Sequence, residues 1–411
     1  KNGYILGKTL YSAEHLSIKK HLPTKIKLMM NKLIRITTVP QSLRGLLKGQ
    51  LKFMSENGFE VIGVSSPGEA LNDVERNEGV KTVGIEMTRS ITPIQDLKAL
   101  IQLIQLFRKE KPHIVHTHTP KAGLLGMMAA KIAGVPHRLH TVAGMPLTVA
   151  TGSKRHLLNQ MEKLTYACAT KVYPNSFGLE KIILDEKFTS PTKLKVIGNG
   201  SSNGIDTSEF DPKKVSEETK KEIRKNLGIK EEDFVFLFVG RVVKDKGINE
   251  LVQAFINLER NNTNCHLVIV GSYENDLDPV LPETEKQINN HPKIHAVGYK
   301  SNVIDYFAMA DVLTFPSYRE GFPNVVMQAA AMQLNCIVSD INGCNEIITN
   351  SQNGWIVPVK DIEILANRMQ WCVDNPIESM AMGMKNREIM ISDYERSYVW
   401  KEIVKEYKKL R

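Results

Sequence analysis

Short apolar runs recur along the chain, each followed by a stretch whose apolar positions return every three to four residues. The runs at 33–39, 59–65, 80–85, 113–118, 138–142, 171–173 and 195–197 predict β-strands. Between them, 46–57, 94–109, 121–133 and 155–167 carry helical periodicity, and Gly58 and Gly134 stand where a helix C-cap is expected. A polar segment at 211–226 interrupts this rhythm. It restarts with predicted strands at 234–239, 266–270, 294–297, 312–315 and 336–339, and helices at 248–259, 303–310, 325–332 and 362–375. A charged amphipathic helix over 394–410 closes the chain. Near-continuous apolar strands alternating with helices predict parallel sheets covered on both faces. Two such series predict an α/β protein with two doubly wound, Rossmann-like domains, 30–205 and 206–393, facing each other across a cleft near 203–211. The segment 394–411 is expected to pack back towards the first domain. Residues 1–29 show neither period and read as a leader of open status; no internal repeat is evident.

Composition narrows the class. With 411 residues, 42% of them hydrophobic, there is enough apolar material for two separate cores. No apolar run reaches the roughly 18–20 residues of a membrane-spanning helix, and no charged, apolar, then small-residue leader opens the chain. Five dispersed cysteines without a C-x-x-C pair read as small buried hydrophobes in a reducing, cytoplasmic compartment. The net charge of +9 is concentrated at the amino end, where residues 1–58 hold 11 Lys/Arg against two acids. Such a patch suits an anionic membrane surface, and hence peripheral attachment at the inner face, or a diphosphate-bearing acceptor; a solvated tail is the plain alternative. Nucleic acid is not indicated, since neither a binding motif nor an array of stacking aromatics accompanies the charge.

The second half carries most of the chemistry. Phe315-Pro-Ser-Tyr-Arg-Glu-Gly-Phe-Pro-Asn-Val-Val-Met-Gln328 joins a strand to a helix and holds Glu320 in the turn. Amide groups at the helix start, with one carboxylate beside them, suit a ligand bearing phosphates and hydroxyls. Glu320 would accept from sugar hydroxyls and Gln328, eight residues on, would offer an amide oxygen to a ribose. Gly240-Arg-Val-Val-Lys-Asp-Lys-Gly247 follows an apolar strand and places Arg241 and Lys246 at a helix start, where a diphosphate needs charged donors. Asn342-Gly-Cys-Asn-Glu346 is a third turn whose amides suit a sugar or a phosphate.

In the first half, His116 and His118 share one strand face, and the absence of a nearby third ligand argues against metal. Ser42-Leu-Arg-Gly-Leu-Leu-Lys48 follows the first strand, so Arg44, Gly45 and, further on, Lys121 are assigned to an acceptor or phosphate loop. Gly198-Asn-Gly-Ser-Ser-Asn-Gly204 misses the dinucleotide fingerprint by one residue and lacks a following helix, which excludes a dehydrogenase site. Asp276-Leu-Asp278 sits in a polar loop and reads as solvated.

The ordered set V-G-R-x-x-x-x-K-G, L-x-I-V-G, A-D-V-L-x-x-P-S-x-x-E-G-F-P-N and S-D-I-x-G-x-x-E-I-I resembles glycosyltransferase family four, and H-T-H-T-P-K-A-G-L-L-G is similar to its members that build bacterial surface polysaccharides. The resemblance runs from about residue 33 to the end. It implies a GT-B fold and a retaining, metal-independent transferase without a cofactor. It would move a hexose or N-acetylhexosamine from a UDP-sugar to a lipid-diphosphate-linked oligosaccharide. It further implies that Arg241 and Lys246 bind the donor diphosphate, Glu320 the sugar and Gln328 the ribose, with the base at Val297–Gly298; Gly240, Gly321, Phe322, Pro323 and Asn324 complete the donor site. Two positions depart from the family. Gln328 replaces a second glutamate, and Ala143 stands where many relatives carry a histidine. His140, three residues earlier on a strand, points to the opposite face, so His118 is the catalytic candidate in the cleft. Those departures motivate one rival, a sugar-nucleotide binder without turnover; an epimerase is the other.

Overall fold

The computed structural model describes residues 31–145, 147, 150–274 and 278–410. The leader 1–29 and Asp276 lie outside the described residues. The first series runs β1 (Asn31–Ile36), α1 (Pro40–Leu46), α2 (Gln50–Glu56), β2 (Phe59–Ser65), α3 (Glu69–Glu78), β3 (Lys81–Gly84), α4 (Pro93–Glu110), β4 (Ile114–Thr117), α5 (Pro120–Ile132), β5 (His137–Val142), α6 (Gly152–Cys168), β6 (Lys171–Pro174) and α7 (Phe177–Asp185). The second runs α8 (Glu217–Asn226), β7 (Phe234–Val239), α9 (Ile248–Glu259), β8 (Cys265–Val270), α10 (Pro282–Asn290), β9 (Ile294–Gly298), α11 (Ile304–Met309), β10 (Val312–Phe315), α12 (Asn324–Ala331), β11 (Asn335–Ser339), α13 (Cys344–Ile347), β12 (Trp355–Val357), α14 (Ile362–Asp374), α15 (Pro376–Asp393) and α16 (Arg396–Lys408).

Both sheets are parallel, six-stranded and wound alike, in the orders β3-β2-β1-β4-β5-β6 and β12-β11-β10-β7-β8-β9. Each therefore reverses direction at one internal point, between β1 and β4 in the first lobe and between β7 and β10 in the second. Crossover helices on either side of such a sheet diverge there and leave a crevice at the carboxyl ends of the strands. The first sheet has a separate apolar cluster on each face, around Ile36, Leu103 and Ala130 on one and Leu33, Leu51 and Tyr407 on the other. The second lobe closes on Phe236, Phe255, Leu313 and Val326.

Two chain crossings join the lobes side by side. Ile205 and Arg396 exchange backbone hydrogen bonds with the opposite crossing, Ile205 N–H to Tyr394 and Arg396 N–H to Ile205, each 2.9 Å. Past the second crossing, α16 buries Val399, Ile403, Val404 and Tyr407 against β1, β2 and α2 of the first lobe.

Several expectations need correction. Residues 195–197 form no strand: β6 ends at Pro174, and only an isolated bridge pairs Val172 with Leu194. The helix expected over 46–57 begins only at Gln50, as α2; α1, not foreseen, ends at Leu46, and the chain turns between them at Gly49 (φ 79°) beneath the Trp400 ring, which lies 2.6 Å from where a Cβ would stand. The polar segment 211–226 contains α8, capped by the Ser216 side chain. α3, α7, α10 and α15 were not foreseen. The basic amino end is not a free surface over residues 31–58, because most of its cations are engaged. Lys32 pairs with Glu110 at 2.8 Å, Arg44 with Asp73 at 2.9 Å and Lys48 with Glu209 at 2.8 Å, while Arg35 is fully buried. All five cysteines are buried and free.

Candidate active site

The crevice of the second lobe is built from the loops after β7 and β10. β7 leads through Gly240 and Arg241 into a short 3-10 turn (Lys244–Lys246) and then α9. Gly247 makes that route available: it takes φ 71°, and a Cβ there would lie 2.1 Å from the Pro316 carbonyl oxygen. The two loops knit together. Tyr318 N–H donates to Asp245 O at 2.8 Å, Arg319 Nη2 donates to Asp245 Oδ2 at 2.7 Å, and Tyr318 OH donates to Glu250 Oε1 at 2.7 Å. Asp278, between β8 and α10, is not simply solvated: it is half-buried and accepts from Asp245 N–H of the β7 loop at 2.7 Å.

This knitting brings Lys246 and Glu320 together across 74 residues of sequence as an ion pair, both side chains largely buried. Ser317 donates to the same Glu320 oxygen at 3.0 Å, and the Lys246 ammonium stands 5.5 Å from the Phe315 ring centroid. Arg241, half exposed, binds Glu274 at 2.7 Å; burial opposes its charge, but that carboxylate outweighs burial and raises its pKa. Val297 and Gly298 end β9, two strands from β7, and the space beside the Gly298 Cα is open. Asn324 begins α12 and is exposed, while Gln328 is half-buried on the same helix.

Other assigned residues have different duties. The Phe322 ring is buried between Gly200 and Tyr394 (ring centroids 5.4 Å), so only its backbone can face a donor. Pro323 is the buried N-cap of α12. The turn at Asn342 offers few free amides. Glu346 takes Gly343 N–H at 3.2 Å and reaches across to the first lobe, accepting from Phe177 N–H and Gly178 N–H at 2.8 and 2.9 Å. Lys121 is withdrawn from any phosphate: its ammonium is buried against Asp96 (2.6 Å) and the Ser90 carbonyl. Residues 42–46 are helical, so Gly45 has no loop backbone to offer, and a Cβ there would touch nothing; Arg44 is engaged with Asp73.

The first lobe meets this site at its own reversal point. Thr38, after β1, and Thr119, after β4, are hydroxyl-bonded at 2.7 Å. Beside them lies a crevice of about 200 Å³ lined by His118, Thr119, His140, Ala143, Glu162 and Arg319, the last from the second lobe. The lobes touch through backbone: a Cβ on Gly321 would come within 1.9 Å of the Ala143 carbonyl oxygen. His140 Nδ1 bonds Thr117 at 2.8 Å, and the ring lies under Gly123 of α5; burial lowers its pKa to about 4. His118 does reach the crevice, but not as a base. Its Nε2 accepts from the Arg35 guanidinium at 2.9 Å, and burial followed by that cation hold its pKa well below normal.

Three residues of this arrangement were not read from sequence. Glu162 lies mid-way along α6, and desolvation raises its carboxyl pKa. Arg319 sits inside the quoted motif, its buried Nε without a partner. Arg35 gave no signal except a cation in an apolar run, which could have marked it. No group of three or more His, Cys, Asp or Glu able to hold a metal occurs among the described residues.

Two nucleotide-fold lobes, with a cation–acid pair at one reversal point and a crevice at the other, define a GT-B glycosyltransferase. The family model "Glycosyl transferases group 1" matches residues 219–389, and "Glycosyl transferase 4-like" matches 35–176. The chain is 32% identical to the capsular polysaccharide biosynthesis glycosyltransferase CapM of Staphylococcus aureus, over 92% of this chain and 96% of that one. It is also 32% identical to the Escherichia coli UDP-Gal:alpha-D-GlcNAc-diphosphoundecaprenol alpha-1,3-galactosyltransferase, over 73% and 77% respectively. The crystal structure of Anabaena HepE in complex with UDP and glucose superposes with a TM-score of 0.77 at 16% identity, covering 92% of this chain and all of that one. The chain belongs to glycosyltransferase family four, and it is an enzyme.

The Gly321 contact yields a test. Gly321→Ala should leave both lobes folded but hold them apart, lowering transfer by about 10²-fold, as expected for ångström-scale misplacement. Steady-state transfer measured beside a melting curve checks this; full activity would show that the lobes do not work in this approach.

Proposed function

We propose that the enzyme is a retaining transferase that moves a hexose or N-acetylhexosamine from a UDP-sugar to a lipid-diphosphate-linked oligosaccharide in bacterial surface polysaccharide synthesis. The observation that carries this reading is the Lys246–Glu320 pair at the reversal point of the second sheet, with Arg241 at its mouth. In this reading the donor diphosphate takes Lys246 and Arg241, and Glu320 turns its oxygens to sugar hydroxyls. The cations then stabilise the charge that grows on the departing β-phosphate, a preorganised electrostatic effect. The departing phosphate accepts the acceptor proton, so neither a neutral His118 nor Ala143 is an obstacle, and the reading takes no metal ion. Closure of the lobes at Gly321 excludes the water that would hydrolyse the donor. Names of the S. aureus and E. coli relatives support the polysaccharide setting and the diphosphate-linked acceptor.

The acceptor belongs to the crevice of the first lobe, where Glu162, when ionised, accepts from its hydroxyls. Peripheral attachment to an anionic membrane belongs to the same reading. No described helix is long and apolar enough to cross a membrane. On and just before α4, however, Ile91, Ile94, Leu97 and Ile101 are 47–75% exposed, with Arg89 and Lys98 exposed beside them, a combination suited to an anionic interface.

Four outcomes are expected. With isotope-labelled UDP-sugars and membrane lipid extract, Arg241→Ala should lose about 10²–10³-fold in turnover; undiminished transfer would refute the donor site. Glu162→Gln should raise the acceptor KM by about tenfold, the worth of a hydrogen bond to a charged group, leaving the donor KM alone. Because burial raises the Glu162 pKa, its charged form is lost as pH falls through a value above that of an ordinary carboxyl, and wild-type acceptor KM should rise there while the variant's stays flat. Joint Ile94→Ser and Leu97→Ser substitution should weaken co-sedimentation with anionic vesicles by about tenfold or more; unaltered binding would move the membrane contact elsewhere.

A further inference from the structure

His118 and Thr141 belong to two cavities, the crevice of the first lobe and a second of about 20 Å³. The walls of the smaller one include Arg35, His116, Tyr173, Asn175, Ser201 and Ile403, all buried. It therefore lies where β1, β4 and β6 end against α16 and the interlobe crossing.

Arg35 is the anomaly. Its guanidinium is permanently charged and wholly buried, yet it has no carboxylate within ion-pair distance among the described residues. Nε donates to His118 Nε2 at 2.9 Å and Nη2 donates to Gln50 Oε1, whereas Nη1 has no partner. The acid whose field it feels, Glu78, is committed to the start of α2, accepting from the backbone of Gly49, Leu51 and Lys52 at 2.8–3.1 Å. A buried charge without a direct counter-ion is strongly unfavourable, so something else must offset it.

Several of the unpaired groups around it can present a hydrogen. Because His118 Nε2 accepts from a guanidinium, the ring hydrogen must sit on Nδ1, and that Nδ1–H has no partner. The Tyr173 hydroxyl also has none, and burial holds its proton firmly. Asn175 has an unpaired Oδ1 there, and its amide can turn to present Nδ2–H. One cation and these unanswered donors thus surround a space that holds a single water-sized species. A tetrahedral oxyanion, with four oxygens, does not fit.

We propose that this cavity binds a monatomic anion of halide size, chloride in ordinary solution. It supplies the charge that Arg35 lacks and receives the Nη1, His118 Nδ1 and Tyr173 hydrogens. A water molecule, the competing occupant, answers donors but brings no charge. Arg35 also holds Gln50, which donates to the Ser202 carbonyl and Asn203 Oδ1 at 2.9 Å, and Trp400 donates to that same Asn203 oxygen at 2.6 Å. The anion is thereby tied to the crossing between the lobes, independently of which donor or acceptor the enzyme uses.

Bromide is the probe. Crystals soaked in sodium bromide and measured above the bromine absorption edge should show an anomalous peak in the cavity, in contact with Arg35 Nη1 and His118 Nδ1. In solution, bromide or chloride should raise the melting midpoint by about 2 °C over gluconate at equal ionic strength. Arg35→Met should abolish the shift. If that variant does not fold, Tyr173→Phe, which removes one donor without changing the ring, should cut the shift by half or more. A cavity filled by water alone, a peak found only elsewhere, or a shift unchanged in Tyr173→Phe would each overturn the proposal.

Discussion

Each parallel sheet reverses its winding once, and the Lys246–Glu320 pair and the Thr38–Thr119 crevice sit at the two places where it does. A crossover helix covers the end of every strand except at the reversal, where neighbouring helices leave in opposite directions. In the second lobe that gap falls between β7 and β10, so the loops after those strands meet at the crevice. Lys246 comes from one and Glu320 from the other. Their pairing lets a cation and an acid stay buried side by side.

The first lobe repeats the topology with different contents. At its reversal point stand hydroxyls, Thr38 and Thr119, with neutral histidines beside them. Arg319 leans over from the opposite lobe to complete the crevice wall. The two crevices differ in charge: fixed cations on one side suit a diphosphate, and neutral polar groups with one carboxylate, Glu162, on the other suit hydroxyls. Backbone contact at Gly321 and the Glu346 bridge to α7 keep the two halves in register.

The crossing between lobes is built from unusually interdependent parts. α16 belongs by sequence to the end of the chain and by packing to its beginning, where Tyr407 closes the apolar face of β1 and β2. Arg35, Gln50, Asn203 and Trp400 form a buried polar chain from that face to the crossing. Buried polar chains are costly when incomplete, which is why the unanswered hydrogens beside Arg35 are informative.

The sequence alone determined the two strand–helix series, the parallel sheets and the turn between β10 and α12 that holds Glu320, because those depend on periodicity and on local turn chemistry. Strands buried on both faces write their apolar runs plainly, and β7 and β10 occupy the spans their patterns predict. What each polar group does was decided only by tertiary structure. Lys121 and Arg44 look free in sequence but find Asp96 and Asp73; Phe322 turns its ring into the core; His118 loses its basicity to burial and then to an arginine 83 residues away. Helices such as α8, whose faces are mostly polar, and the strand missing at 195–197 share this cause. Ion pairing, burial and edge pairing are set by partners distant along the chain, and no local pattern records them.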